Sequence, residues 1–441
     1  MIAERLAEPV IPYRSIGTPR LLAAGWPPAS SGLVAHRQAH QFRRLPDRTQ
    51  LTDDVDAVGL RGRGGAGFPV ARKLAALPRR GARSVVVNGS EGEPLSFKDR
   101  LLMRVFPHLV VDGALAVANA LRARQVVIVA ADELSLTSLR VATAERSAAG
   151  IDNQAVQVVA APGRFVAGEA RAVIELLDGR AATPIGRRLL PTRHGVGGRP
   201  TFLSNAETFA QIALLVSLGT FDYAQTGIAG EPGTSLVSVG GAVERPGVVE
   251  IPIGIPLSVL LAESGAHPGA VLVGGYHGSW LEVADVQLSH GALAEAGGTF
   301  GAGSVTVLGN DTCALGEVAR VARWLAGESM RQCGPCLYGL DALADDLERL
   351  VLGDARDWAR VQTRLAMTPG RGACAHPDGA VRFVASSLRI FAAEIDRHRR
   401  HGDCGRPVLG QLPADGIGPP RHTTPAMPGA HRHLPLRVEH P

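Results

Sequence analysis

With 441 residues, 45% of them hydrophobic and 20% charged, the chain has material for two or three globular domains with real cores. Its 46 basic and 41 acidic residues leave a net charge of only +5, and no basic block is interleaved with aromatics, which argues against a nucleic-acid role. Five cysteines in such a length make no disulfide framework, no signal-peptide pattern opens the sequence, and no run of 18 apolar residues offers a membrane span, so the expected compartment is the reducing cytoplasm.

In chain order, residues 1–45 mix Pro, Ser, Gly and Arg and are expected to be an N-terminal extension. Residues 46–230 alternate buried strands with helical spacing. Val85, Val86 and Val87 form a strand running into the polar turn Asn88-Gly89-Ser90-Glu91-Gly92-Glu93-Pro94, PHLVVDGALAVANALRA is a helix, RQVVIVAADE a strand, SLTSLRVATAERSAAG a helix and QAVQVVAAP a strand. That pattern predicts an α/β, Rossmann-like domain on a mostly parallel sheet. Residues 231–305 turn to short alternating strands split by Gly and Pro, a small β-rich module with one helix. Residues 306–405 carry apolar residues at spacings of three and four in long runs, the last of them over 378–398, which predicts a helical bundle with cysteines at its helix ends. The tail from Arg406 is rich in Pro, Gly and His and is expected to be disordered, with His422, His431, His433 and His440 solvated.

Two stretches look chemical. Gly62-Arg63-Gly64-Gly65-Ala66-Gly67-Phe68-Pro69 precedes a helix containing Lys73, and repeated glycines let backbone N–H groups approach a phosphate. Taken alone the loop is equally compatible with a plain turn, because the stretch before it is a poor strand. The acidic turn after Val87 stands at a strand's carboxyl end, where α/β sheets bind ligands, with a solvated turn as the alternative. Only two of the 46 basic residues are lysines, Lys73 and Lys98, and they fall in these two stretches. A chain that otherwise uses arginine places lysine where a compact point charge serves better than a planar fork.

The order GLRGRGGAGFP, Lys73, NGSEGEPLSFKDR, GEARAVIELLDGR, RPTFLSNAETFA, a C-x-P-C-like run and Cys374 resembles the NADH-binding flavoprotein subunit of respiratory complex I, a module also found in NAD-linked hydrogenases and formate dehydrogenases. The resemblance covers about 55–400. It implies a β-grasp module at 231–305 and an NADH:acceptor oxidoreductase in which hydride passes from NADH to FMN and electrons leave singly through an iron–sulfur cluster, 4Fe-4S or 3Fe-4S. It also implies a partner, a ferredoxin or an iron–sulfur subunit of a larger redox complex, with no transmembrane segment and a cytoplasmic position peripheral to a membrane complex. By resemblance, FMN is held by Gly62, Arg63, Gly64, Gly65, Gly67, Phe68, Lys73, Asn88, Glu91, Gly168, Glu169, Ser204, Asn205 and Thr208. Glu93 is the acidic residue at the nicotinamide, and Cys333, Cys336 and Cys374 are cluster ligands.

The chain also departs from that pattern. Ser90 replaces an Asp, Ala170 a Glu, and Phe165 a Tyr beside the flavin. Ala76 and the stretch Arg187-Arg188-Leu189-Leu190 stand where aromatic faces would meet adenine, and stacking is worth about 0.5–1.5 kcal/mol beyond burial. These losses leave two other readings open, a flavoprotein relay that does not oxidise NADH and a cofactor-free scaffold. Met330 takes the place of the first cluster cysteine, and a thioether is a poor substitute for thiolate on iron. The cluster then has an open or oxygen-ligated iron, or takes a fourth bond from Cys404 or His376, or is absent. A four-cysteine zinc site is disfavoured by the same missing ligand. Cys313 reads as a small buried hydrophobe.

Overall fold

The computed structural model describes residues 11–22, 32–40, 45–187, 189–267, 269–282, 286–354 and 356–414. The four histidines of the tail lie outside them. The chain starts with strand β1 (Tyr13–Ser15), whose partner comes more than two hundred residues later. Helices α1 (Arg48–Ala57) and α2 (Val70–Ala75) flank the glycine loop.

A four-stranded parallel sheet follows, from β2 (Ser84–Gly89), β3 (Gln125–Ala130), β4 (Val156–Ala160) and β5 (Thr201–Asn205), in the order β4-β3-β2-β5. Val85, Val86 and Val87 are all fully buried, as expected of a strand covered on both faces by helices. The covering helices include α3 (Lys98–Val105), α4 (Pro107–Leu121), α5 (Glu133–Ala148), α6 (Ala170–Leu177) and α7 (Ala206–Leu218). Helices α4 and α7 meet at backbone distance: a Cβ on Gly113 would stand 1.8 Å from the carbonyl oxygen of Phe209. Strand β5 places RPTFLSN beside β2, so Asn88 and Asn205 pair across neighbouring carboxyl ends.

The second sheet is mixed. It comprises β6 (Thr234–Gly241), β7 (Gly247–Pro252), β8 (Gly269–Val273), β9 (Ser279–Leu281) and β10 (Ser304–Gly309), with β1 added at its edge, in the order β1-β7-β6-β10-β8-β9. Part of the extension therefore belongs to this sheet. The reason is Glu250, whose buried carboxylate accepts from the backbone N–H groups of Arg20, Leu21 and Leu22 and from Thr234 Oγ1.

The helical region comprises α8 (Ala314–Gly327), α9 (Leu340–Val351), α10 (Asp357–Met367), α11 (His376–Ile390) and α12 (Ala392–His401). The single helix expected over 378–398 is broken at Phe391 into α11 and α12. Residues 406–414, expected to be disordered, pack back on α8. Glu317 accepts from the N–H groups of Gly410, Gln411 and Leu412, and Leu412 is fully buried. Among the described residues no single helix is long and apolar enough to cross a membrane.

Candidate functional site

The glycine loop is closed by Gly62 N–H donating to Phe68 O at 2.9 Å. It lies over the N-terminus of α7, where Arg63 N–H donates to Thr208 Oγ1 at 2.9 Å. A Cβ on Gly64 would stand 3.0 Å from Asn205 Cβ, and one on Gly67, at φ +58°, 2.8 Å from His290 Cε1. Gly65 bridges Gly301 of the second sheet module. A small cavity between loop and module is lined by Gly62, Arg63, Gly65, Lys98, His290 and Gly301, among others.

Lys73 reaches the carboxyl end of β5 from α2. Its Nζ donates to Leu203 O at 3.0 Å and Ser204 Oγ at 3.4 Å, and burial depresses its ammonium to about 8. Lys98 is buried beneath the loop, paired with Asp99 at 2.9 Å and Glu207 at 3.0 Å. Burial alone would depress it, but Asp99, Glu207 and Glu91 together hold it above its ordinary value. Asn205 caps α7 by accepting from Glu207 N and donates to Asp99 Oδ2. The partners Asp99 and Glu207 escaped the sequence reading; only the rarity of lysine pointed there.

The acidic turn is less open than its sequence suggests. Glu91 is heavily engaged: its carboxylate accepts from Ser96 Oγ at 2.6 Å and from the N–H groups of Asp99 and Arg100 at the start of α3. Burial and then the charge of Asp99 push its carboxyl up, against Lys98 and Arg100. Glu93 accepts from Leu95 N–H at 3.2 Å and from Tyr276 N–H of the second module at 2.8 Å. Burial nevertheless pushes it up to about 7. Asn88 donates to Gly168 O at 2.8 Å, drawing 164–169 against the turn, where a Cβ on Gly168 would stand 2.5 Å from Ser90 O. Glu169 caps α6 and pairs with Arg171 at 2.6 Å. The Ser90 hydroxyl is buried without a protein partner. A glycine cradle, a buried lysine and an unpaired buried hydroxyl at strand ends fit a polar, phosphate-bearing ligand.

From that turn an aromatic bridge leads to the cysteines. Phe165 packs edge-on against His277, Trp324 and His376, at centroid distances of 4.7, 5.3 and 5.7 Å. Cys333 and Cys336 stand where a wide helical turn, Pro335–Gly339, begins and feeds α9; Cys374 precedes α11. Burial pushes Cys336 up to about 12, reinforced by Cys333 and Cys374 beside it. Burial raises Cys374 as well, against the His376 N–H. These three thiols fit an iron–sulfur centre.

Neither candidate for a fourth bond is free to supply it. His376 uses both ring nitrogens, Nε2 on Leu325 O at 2.8 Å and Nδ1 on His277 Nε2 at 3.1 Å. Cys404 lies with Cys313 in another cluster. Met330 directs its sulfur to Arg164 Nη1 at 3.9 Å. Of the residues that the resemblance sets near the adenine, Leu190 is 55% exposed; Phe68 of the glycine loop is 45% exposed under the guanidinium of Arg72.

Residues 55–214 match the family model described as the Nuo51 FMN-binding domain, and residues 313–398 match the NADH-ubiquinone oxidoreductase-F iron-sulfur binding region. The NADH-quinone oxidoreductase F protein of Mycobacterium bovis is 31% identical over 437 residues, spanning 90% of this chain and 97% of that protein. The chain belongs to the NADH-quinone oxidoreductase F family. The Escherichia coli member is 30% identical over 372 residues, 79% of this chain and 84% of its own. A chain of the NAD+-reducing [NiFe]-hydrogenase in the H2-reduced state superimposes with a TM-score of 0.77 at 26% identity, covering 89% of this chain and 68% of that one. The family resemblance read from the glycine loop, acidic turn and cysteines is thereby borne out, as is the mixed α/β fold with a helical iron–sulfur region.

Proposed function

We propose that this chain is an NADH:acceptor oxidoreductase component that takes hydride from NADH on FMN and passes electrons singly through an iron–sulfur centre to a partner, an iron–sulfur subunit of a larger complex or a ferredoxin, in a reducing compartment. The observation that carries this is that one fold holds a glycine cradle with Lys73 at the end of β5, the ring cluster of Phe165, His277 and His376, and the neighbouring thiols of Cys333, Cys336 and Cys374.

In this reading Gly62–Phe68, Lys73, Asn88, Gly168, Glu169, Ser204, Asn205 and Thr208 would hold the flavin. Bound FMN supplies the conversion between a two-electron donor and one-electron acceptors. The protein's part is position and exclusion of water. Lys73, depressed by burial to about 8, is still mostly charged at neutral pH, and an anionic ligand beside it would hold that charge more firmly. Glu91 acts at one remove, holding the turn on α3. Glu93 orients the nicotinamide end through a carboxyl anchored on Tyr276. Cys333, Cys336 and Cys374 would hold the cluster as thiolates, and Met330 stands where a fourth would be expected.

A second reading, a flavoprotein relay indifferent to NADH, is favoured by the aliphatic residue at Leu190. An anaerobic absorbance spectrum separates the two. Flavin and broad cluster absorption that bleach on adding NADH are expected. A flavin band indifferent to millimolar NADH installs the relay, and a colourless protein removes both.

A further inference from the structure

We propose that Cys313, Glu394, His398 and Cys404 form a second, mononuclear metal site that takes Zn2+ and is separate from the cluster cysteines. One donor atom from each of the four lies within 4.8 Å of all the others. Cys313 Sγ stands 3.3 Å from His398 Nε2 and 3.4 Å from Glu394 Oε1. A tetrahedral zinc with bonds of about 2.3 Å to sulfur and 2.0–2.1 Å to nitrogen has a sulfur–nitrogen edge of about 3.6 Å. The side chains are thus already spaced as vertices around one small ion. Donors of an iron–sulfur cluster sit on separate irons and spread wider.

The chemistry of the set agrees. His398 Nδ1 donates to Val351 O at 2.8 Å, which fixes the tautomer and leaves the Nε2 lone pair facing Cys313. Glu394 is held from both sides, Oε1 by Leu315 N–H at 2.8 Å and Oε2 by the Arg406 guanidinium. Two thiolates and one carboxylate around a dication leave one negative charge, and Arg406 balances it. Cys313 is 2% exposed, and Glu394 and His398 are buried as well, so four protein ligands close the shell, as in structural rather than catalytic zinc sites.

The site would tie three segments together. Cys313 caps α8, Glu394 and His398 lie one turn apart on α12, and Cys404 follows the left-handed Gly402 that ends it. From there residues 406–414 fold back on α8, so the ion would anchor the segment that sequence composition marks as unstructured.

The test is elemental analysis of the full chain purified without oxygen. About one zinc per chain is expected in addition to iron. Cys404→Ser and Cys313→Ser should lower zinc roughly tenfold with flavin and iron unchanged, while Cys336→Ser should lose iron and keep zinc. Zinc below about a tenth per chain overturns the proposal. So does zinc that survives Cys404→Ser but disappears in Cys336→Ser, or a Cys313–Cys404 disulfide in the anaerobic protein. Should the serine variants fail to fold, zinc-edge X-ray absorption of the unaltered chain decides. Two sulfur and two nitrogen or oxygen scatterers support the site, and any other set overturns it.

Discussion

Glu93 shows how one buried carboxyl couples the site to pH. Its folded value is raised from 4.5 to about 7, chiefly by burial. Between those values the folded chain holds a proton that the unfolded chain has released. The contribution to stability is therefore complete below about pH 4.5 and is lost as pH rises through 7, a change of about 3 kcal/mol at most. Glu93→Gln should flatten this part of the stability–pH curve, measured by denaturant melts from pH 5 to 8, and should retain flavin while slowing reduction by NADH. Unchanged reduction would remove the nicotinamide role. Lys73→Met removes a buried donor that reaches the end of β5. A charge-assisted hydrogen bond is worth about 1.5–3 kcal/mol, so flavin affinity should fall at least about tenfold by equilibrium dialysis. Met330→Cys restores a thiolate at the place of the missing ligand. Iron per chain should rise, and the electron paramagnetic resonance of the reduced protein should change.

At the level of elements, close contacts that leave no mark in local pattern decide the packing. Helices α4 and α7 cross where Gly113 faces the Phe209 carbonyl, with a prospective Cβ–oxygen distance of 1.8 Å. Gly113→Ala must separate the two helices beneath the parallel sheet. A loss of about 3 kcal/mol or more is expected in denaturant titration, beyond the small gain in helix propensity. Glu250 organises β1 and the following turn by accepting three backbone N–H groups. Its replacement by Ala should cost about 3 kcal/mol and open residues 11–22 to protease, since it leaves those donors buried and unpaired.

Across the whole molecule, the flavin-side loop and the cysteine region are joined by Arg187, which donates to Cys374 O and to Asp378 Oδ2. In the sequence Arg187 stands only as a departure at the adenine side. In the fold it is a brace between domains. Arg187→Ala should leave flavin reduction by NADH intact in rapid mixing and slow the later reduction of the cluster. An equal loss in both phases would show that the brace shapes the flavin site instead.

The hydrophobic run Val85–Val87, the strand–helix alternation and the glycine loop were legible in the sequence because each is local, a matter of period and backbone freedom. So was the family, because its motifs keep their order. The partners of the motifs were not legible, because they lie far away in sequence. Glu91 reads as a ligand in sequence, while in the fold the start of α3 engages its carboxylate, and His376 looks like a metal ligand until His277 and Leu325 take both nitrogens. Cys404 looks like a spare cluster cysteine until the turn after α12 sets it beside Cys313. Sequence alone determined which residue types were present and which strands, helices and loops they favour. Tertiary structure decided which lone pairs remained to be used, because a buried polar atom satisfied by one neighbour is no longer free for another.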